Sequence, residues 1–181
     1  MKAIFLDRDD TLIRNVPYLG DPSRVELCPG AAEAVHAWQA AGWLLVMVSN
    51  QSGVGRGLIT KEQVASVNRE TYRQLRVKGF DAEYFCYAAP GDPYGSEERK
   101  PSPIMLQRAA QEMAIDLAAS YMIGDKEIDV ECGHRAGCRS VLVLTGNAGE
   151  GQRRARERAD FTAEHLGVAA EWVLQQPVAQ E

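Results

Sequence analysis

Short uninterrupted apolar runs alternate with stretches in which apolar residues recur every three or four positions, and the alternation continues along the chain. Ala3-Ile4-Phe5-Leu6 is such a run, the pattern of a strand buried on both faces. Similar runs at Trp43–Val48, Glu83–Tyr87, Ser120–Ile123 and Ser140–Leu144 predict four further strands, with a brief last one near Asp160-Phe161. Ala31, Ala34, Val35, Trp38 and Ala41 recur at helical spacing between Pro29-Gly30 and a stop at Gly42. Thr60 with Gln63 forms a capping-box pair opening a helix to about Lys78. Ser102 as cap, with Pro103 at the first helical position, predicts the next, with Met105, Leu106, Ala109, Ala110 and Met113 as its apolar face. Helices ending at Ala136 before Gly137, around Arg153–Arg158, and from Glu164 to Leu174 complete the set.

Strand and helix alternate throughout, which predicts an α/β fold: a doubly wound, mainly parallel sheet with helices on both faces. One domain over residues 1–175 is expected, followed by a frayed tail at 176–181. Functional groups in such a sheet gather at the carboxyl ends of the strands. That edge brings together four scattered segments: the turn at Asp7, the loop at Ser49, the loop at Lys100 and the turn at Asp125.

Composition narrows the partners. The chain has 181 residues, of which 45% are hydrophobic, enough for one sizeable core. A net charge of -5 and a pI of about 5.3 argue against nucleic acid and anionic membranes as partners. No apolar run approaches the roughly 18 residues of a membrane span. The first strand follows the initiating Met1 directly, so no signal peptide is expected and the protein reads as cytoplasmic. A monomer is expected. Cys28, Cys86, Cys132 and Cys138 show no C-x-x-C spacing and read as small buried residues. His36, His134 and His165 form no ligand pair and read as surface or packing residues.

The first strand ends in Asp7-Arg8-Asp9-Asp10-Thr11, and carboxylates this close are costly to bury without a cation. A hard, oxygen-seeking ion such as Mg²⁺ is the economical answer. The whole edge offers Asp7, Asp9, Ser49, Asn50, Lys100, Asp125 and Asp129. No serine has a neighbouring histidine, and cysteine is absent from the strand ends, so triad and thiol catalysis are excluded. What remains suits phosphoryl transfer, which depends on positioning and charge neutralisation.

In that order, Asp-x-Asp-x-Thr, Ser-Asn, a lysine before a helix, and Gly-Asp with a later Asp resemble the four motifs of the haloacid dehalogenase-like (HAD) phosphatases, across nearly the whole chain. The resemblance implies Asp7 as nucleophile forming an aspartyl-phosphate, and Asp9 as general acid and then base. It implies that Ser49 and the amide of Asn50 hold a phosphate oxygen while Lys100 neutralises nucleophile and phosphate together. Mg²⁺ would be held by Asp7, the main-chain carbonyl of Asp9 and Asp125, with Asp129 holding a metal-bound water or orienting Lys126.

Asp-Arg-Asp-x-Thr, Ser-Asn-Gln-Ser-Gly-Val-Gly-Arg-Gly, Arg-Lys-Pro-x-Pro and Gly-Asp-Lys-x-x-Asp look more narrowly like the heptose bisphosphate and histidinol phosphate phosphatase branch. Its heptose members remove the C7 phosphate of D-glycero-D-manno-heptose 1,7-bisphosphate, supplying lipopolysaccharide precursors in Gram-negative bacteria. A small-molecule sugar bisphosphate is thus the implied substrate, with histidinol phosphate or a broader range of sugar phosphates as alternatives.

Two departures from that branch stand out. Asp10 occupies a position where glycine is typical, and Asp tolerates unusual φ better than most residues. In the loop after the third strand, Cys86 matches the first of four zinc ligands, but Ala88, Ser96 and Glu98 stand at the others. One thiolate cannot make a tetrahedral site, so zinc is expected to be absent. Neither inter-motif stretch has room for a cap domain. Selectivity is therefore expected from the loops Asn15–Tyr18, Gln51–Arg56 (with Ser52) and Ala88–Arg99, next to Asp10. Arg56, Arg99 and Lys126 are the candidate cations for a second phosphate. A signalling receiver domain, the rival α/β reading, would need its phosphorylated Asp at the end of the third strand, where none is found.

Overall fold

The computed structural model describes residues 1–177 of the chain. Six parallel strands form one sheet: β1 (Ala3–Leu6), β2 (Leu44–Asn50), β3 (Ala82–Cys86), β4 (Tyr121–Gly124), β5 (Arg139–Val143) and β6 (Phe161–Ala163). Their order across the sheet is β3-β2-β1-β4-β5-β6. The helices are α1 (Ala31–Ala40), α2 (Ser52–Gly55), α3 (Lys61–Leu75), α4 (Ile104–Met113), α5 (Glu127–Ala136), α6 (Glu150–Arg158) and α7 (Leu166–Gln175).

Side chains of β1 alternate between two cores. Ile4 and Leu6 pack with Trp38 of α1, Leu75 of α3 and Ala169 of α7. Ala3 and Phe5 pack with Leu106 of α4 and Cys132 of α5 on the opposite face. Ala155 of α6 joins that second face against Val130 and Leu142. Ile4, Phe5 and Leu6 are fully buried, and each contributes about 1.5–3 kcal/mol. That burial anchors the strand whose next residue is Asp7. Winding reverses between β1 and β4, and the crevice this opens at their carboxyl ends is where such sheets bind ligands. Between β1 and β2 lie only a single 3₁₀ turn and α1, and between β2 and β3 only α2 and α3, so no cap interrupts the sheet.

The expected doubly wound α/β fold is the observed one, with local differences that have physical causes. The second strand starts at Leu44 rather than Trp43 and runs on through Ser49 and Asn50. Helix α3 carries the expected capping box at Thr60 and Gln63. It stops at Leu75, short of Lys78, because Arg76 turns left-handed (φ 59) and Val77 N–H bonds back to Tyr72 O. Ser102 does not cap α4. Its N–H closes a turn onto Arg99 O, Pro103 takes the cap position, and the helix begins at Ile104. Helix α7 begins at Leu166, not Glu164, because the His165 ring Nδ1 accepts from Gly167 N–H. The Gly-rich segment after β2, expected as loop, holds the single helical turn α2. Gln176, expected in a frayed tail, is tied by Arg139 Nη1 at 3.1 Å and donates to Trp172 O. Residues 178–181 of that tail lie outside the described residues.

All four cysteines are buried and free, and burial pushes the thiols of Cys28, Cys132 and Cys138 up to about 12. No helix among the described residues is long and apolar enough to cross a membrane.

Candidate active site

Asp7 follows β1 directly, its N–H bonded to Ile123 O of β4 at 3.0 Å, so the switch point fixes its backbone. Lys100 reaches it from the other side of the edge: Nζ lies 2.7 Å from Asp7 Oδ1, 2.7 Å from Asp129 Oδ1 and 2.9 Å from Val48 O. The ammonium thus has three acceptors and is buried. Burial works against its charge, but Asp129 and Asp7 outweigh that and hold Lys100 firmly protonated. Its backbone is gripped in turn by Asn50, whose side-chain Oδ1 accepts from Lys100 N–H at 3.0 Å while Nδ2 donates to Lys100 O. The Asn50 side chain therefore positions Lys100, leaving only its main-chain amide for the phosphate role that the resemblance implies.

Asp125 follows β4 just as Asp7 follows β1. Burial, then the neighbouring charge of Asp7, pushes its carboxyl up to about 8, against a partly offsetting Lys126 whose Nζ stands 3.3 Å away. Asp7, Asp125 and Asp129 offer oxygen atoms that all lie within 4.8 Å of one another. Two glycines make the seat possible. A Cβ at Gly146 would come within 2.1 Å of Asp125 Oδ2, and one at Gly124 within 2.3 Å of Asp129 Cγ. Both oxygens of Asp129 are already engaged, Oδ1 by Lys100 Nζ and Oδ2 by the main-chain N–H of Lys126. Asp129 therefore orients the two lysine segments, and Asp7 with Asp125 carries the less committed oxygens. The carboxylate of Asp9 is not part of this cluster.

Asp9 belongs to a second network. Arg8, fully buried, pairs with its carboxylate at 3.0 Å and also donates to Gln51 Oε1 at 2.9 Å and Asn68 Oδ1 of α3 at 3.3 Å. Gln51 Nε2 contacts Asp9 Oδ2 at 2.8 Å and Ser49 Oγ at 2.9 Å. Arg8 and Asn68 escape a motif-level reading of the sequence. The available signal was a cation locked between two acids immediately after a fully apolar strand, where a solvated position is unexpected. Asp10 adopts φ 61, the left-handed conformation, and its Oδ1 accepts Asn15 N–H at 3.0 Å; Thr145 donates to its carbonyl. The aspartate so supplies its own local bond at a turn that suits glycine.

Two cavities meet over these networks. One of about 170 Å³ is lined by Asp7, Asp9, Ser49, Asn50, Arg99, Lys100 and Lys126. The other, of about 260 Å³, is lined by Asp9, Asn15, Tyr18, Asn50, Gln51, Ser52 and Lys126 among others. Asp9, Asn50 and Lys126 face both. Tyr18 lies close over Gly53 of α2, where an added Cβ would meet its ring at 2.8 Å. Arg56, expected with Arg99 and Lys126, follows α2 as an exposed residue and lines neither cavity.

Cys86 is the last residue of β3, so a cysteine does stand at a strand end, contrary to expectation. Its thiol is buried and contacts Gly95 O at 3.5 Å, and Cys86 lines neither of the two cavities. In the same loop Ser96 donates to Asp92 O at 2.6 Å and Glu98 pairs with Arg108 of α4. The loop is thus cross-braced by its own polar contacts.

A parallel doubly wound sheet whose β1 and β4 each lead directly into a buried aspartate, the first of them held by a buried lysine, defines an HAD-like hydrolase, and a family profile described as HAD-hydrolase-like matches residues 98–169. The chain is 35% identical over 195 residues to the D-glycero-D-manno-heptose-1,7-bisphosphate 7-phosphatase of Chlorobaculum tepidum, covering 99% of this chain and 98% of that one. It is 38% identical to the D-glycero-beta-D-manno-heptose-1,7-bisphosphate 7-phosphatase of Yersinia pestis, covering 95% and 89%. The crystal structure of D,D-heptose 1,7-bisphosphate phosphatase from B. bronchiseptica, complexed with magnesium and phosphate, superimposes with a TM-score of 0.85 at 30% identity, covering 98% of this chain and 100% of that one. The chain belongs to the heptose-1,7-bisphosphate 7-phosphatase family of HAD-like hydrolases.

Proposed function

We propose that the chain is a Mg²⁺-dependent phosphatase that hydrolyses the C7 phosphate of D-glycero-D-manno-heptose 1,7-bisphosphate. The observation that carries this reading is the Asp7 carboxylate. It is bonded through Oδ1 to a buried, protonated Lys100, beside Asp125, in a chain similar over its full length to enzymes of that name. An all-oxygen donor set, with burial raising Asp125, fits a hard cation rather than zinc. Asp7 and Asp125, with the main-chain carbonyl of Asp9, are the residues proposed to hold Mg²⁺. The ion supplies charge neutralisation that lets a carboxylate and a phosphate approach one another. The B. bronchiseptica relative, complexed with magnesium and phosphate, supports magnesium as the ion. In the loop that follows β3, the contacts of Ser96 and Glu98 support a fold that needs no zinc. Elemental analysis finding stoichiometric zinc in purified protein would refute that part.

Asp7 attacks phosphorus in line. The P–O bond to C7 breaks, Asp9 gives its proton to the departing oxygen, and an aspartyl-phosphate remains on Asp7. Asp9, now a carboxylate, removes a proton from water, which attacks the same phosphorus and releases phosphate and the Asp7 carboxylate. Lys100 stays protonated throughout and offsets charge on the nucleophile and the transferring group. Ser49 Oγ and the Asn50 main-chain N–H hold a non-bridging oxygen. The network of Arg8 and Gln51 fixes where the Asp9 carboxylate rests, at the junction of the two cavities. The distal C1 phosphate is assigned to Arg99, with Lys126 on the same cavity wall; Asn15, Tyr18, Gln51 and Ser52 shape the sugar's cavity, and Asp10, which lines neither cavity, acts only through its bond to the Asn15 N–H.

Phosphate release across a panel containing heptose 1,7-bisphosphate, histidinol phosphate and common sugar phosphates tests the substrate. Preference for histidinol phosphate would overturn the heptose assignment. We further propose that the enzyme acts as a monomer in the cytoplasm, which sedimentation and cell fractionation test.

A further inference from the structure

The amino-terminal edge of the sheet, opposite the catalytic edge, holds a cavity of about 330 Å³ that the proposed reaction does not use. Its walls come from the starts of strands: Lys2 precedes β1, Trp43 precedes β2, and Tyr121 and Arg139 open β4 and β5. Val173 of α7 closes one side. The aromatic rings form a built surface. Trp43 meets Tyr121 edge-on at 5.6 Å, and Tyr121 meets Trp172 at 5.9 Å.

Both charged residues of the lining are cations. Lys2 Nζ sits 4.0 Å above the Trp43 ring, and the Arg139 guanidinium lies 4.6 Å from the Trp172 ring and 5.5 Å from that of Tyr121. Neither takes part in an ion pair among the described residues. Asp160 is the acid that Arg139 influences, yet it is bonded by Ser140 N–H at 2.7 Å and His134 at 3.0 Å. Both hydrogen bonds of Arg139 use Nη1, to Tyr121 Oη and the Gln176 amide, which leaves Nη2 and Nε available. A cavity whose lining, among the described residues, holds two cations and no acid is unexpected in a chain of net charge -5.

We propose that this cavity binds a small anion with a flat aromatic body. The ring of the ligand packs against Trp43 and the alanines at 41, 118 and 119, and its carboxylate pairs with Arg139 and Lys2. Stacking on aromatic faces holds the two cations in place before the ligand arrives, which lowers the entropic cost of fixing them. The volume lies at the small end of the range for small-molecule sites.

The test uses the full-length protein with Mg²⁺ and 1-naphthoate as probe, followed by calorimetry. Saturable binding of one probe per chain, undisturbed by inorganic phosphate, is the expected result. Arg139→Gln should weaken it roughly tenfold or more, the scale of a lost charge-assisted hydrogen bond. Lys2→Glu places an acid in the cavity without touching the Arg139 stack, and should abolish binding while leaving turnover of the phosphate ester unchanged. Neutral 1-naphthalenemethanol should bind at least tenfold more weakly than the acid. Equal affinity for the alcohol, insensitivity to both substitutions, or competition by inorganic phosphate would each overturn the proposal. So would failure to bind in a protein that sediments as a dimer, which would give this face to a second copy of the chain.

Discussion

Arg99 offers a separable test of how a capless enzyme recognises two phosphates. It stands beside Lys100 on the wall of the catalytic cavity, and its guanidinium makes one long contact, Nη1 to Ala88 O at 3.4 Å. Arg99→Ala therefore removes little from the fold, under about 1 kcal/mol for a single weak, part-exposed hydrogen bond. Its effect on a bound distal phosphate is larger. A charge-assisted guanidinium–phosphate contact contributes about 1.5–3 kcal/mol. At about 1.4 kcal/mol per factor of ten, kcat/KM for the 1,7-bisphosphate should fall roughly 10- to 150-fold. Heptose 7-phosphate, which lacks the C1 phosphate, should change by less than about threefold, equivalent to under ~0.7 kcal/mol. Arg56→Ala is the control, because Arg56 lines neither cavity and should leave both substrates unchanged. Lys126 is unsuitable, since it also stands 3.3 Å from Asp125. The assay is colorimetric phosphate release for both substrates, with a urea titration on each variant. Equal losses on bisphosphate and monophosphate would refute the reasoning and assign Arg99 to the reacting centre.

Asp7→Asn should lower turnover by several orders of magnitude while circular dichroism stays native, and Asp9→Asn should cost on the order of 10² to 10⁴; near-normal rates in the first would remove the nucleophile assignment. Burial holds the Asp125 carboxyl at about 8 against an ordinary value of 3.8, so the metal-free native state binds more protons than the unfolded chain between those values. Metal-free protein should therefore lose thermal stability as the pH rises from about 4 to about 8, and saturating Mg²⁺ should flatten that fall. A rise in the melting temperature over the same window would contradict it. Asp10→Ala should destabilise the protein by roughly 1 kcal/mol more than Asp10→Gly in denaturant titrations, because both lose the bond to Asn15 but only glycine escapes the left-handed penalty at φ 61.

By itself the sequence determined the alternation of strands and helices, the central position of Ala3–Leu6 and the four polar segments that follow strands. These are local signals: an apolar run, a capping box at Thr60 and Gln63 and a glycine stop each depend on residues within a few positions of one another. The left-handed turn at Asp10 was legible only through the resemblance, whose members typically carry glycine at that position. Tertiary structure alone decided which polar groups touch. Lys100 and Asp7 are 93 positions apart and Arg8 and Asn68 are 60 apart, so their pairing depends on strand order and on where α3 crosses the sheet. The same reason separates Arg99, which faces the catalytic cavity, from Arg56, which α2 carries away from it. It also explains why Asn50, read for its main-chain amide, turned out to spend its side chain on the Lys100 backbone. Periodicity records which face of an element is buried, whereas a site forms where elements distant in sequence converge, and only packing in three dimensions sets that convergence.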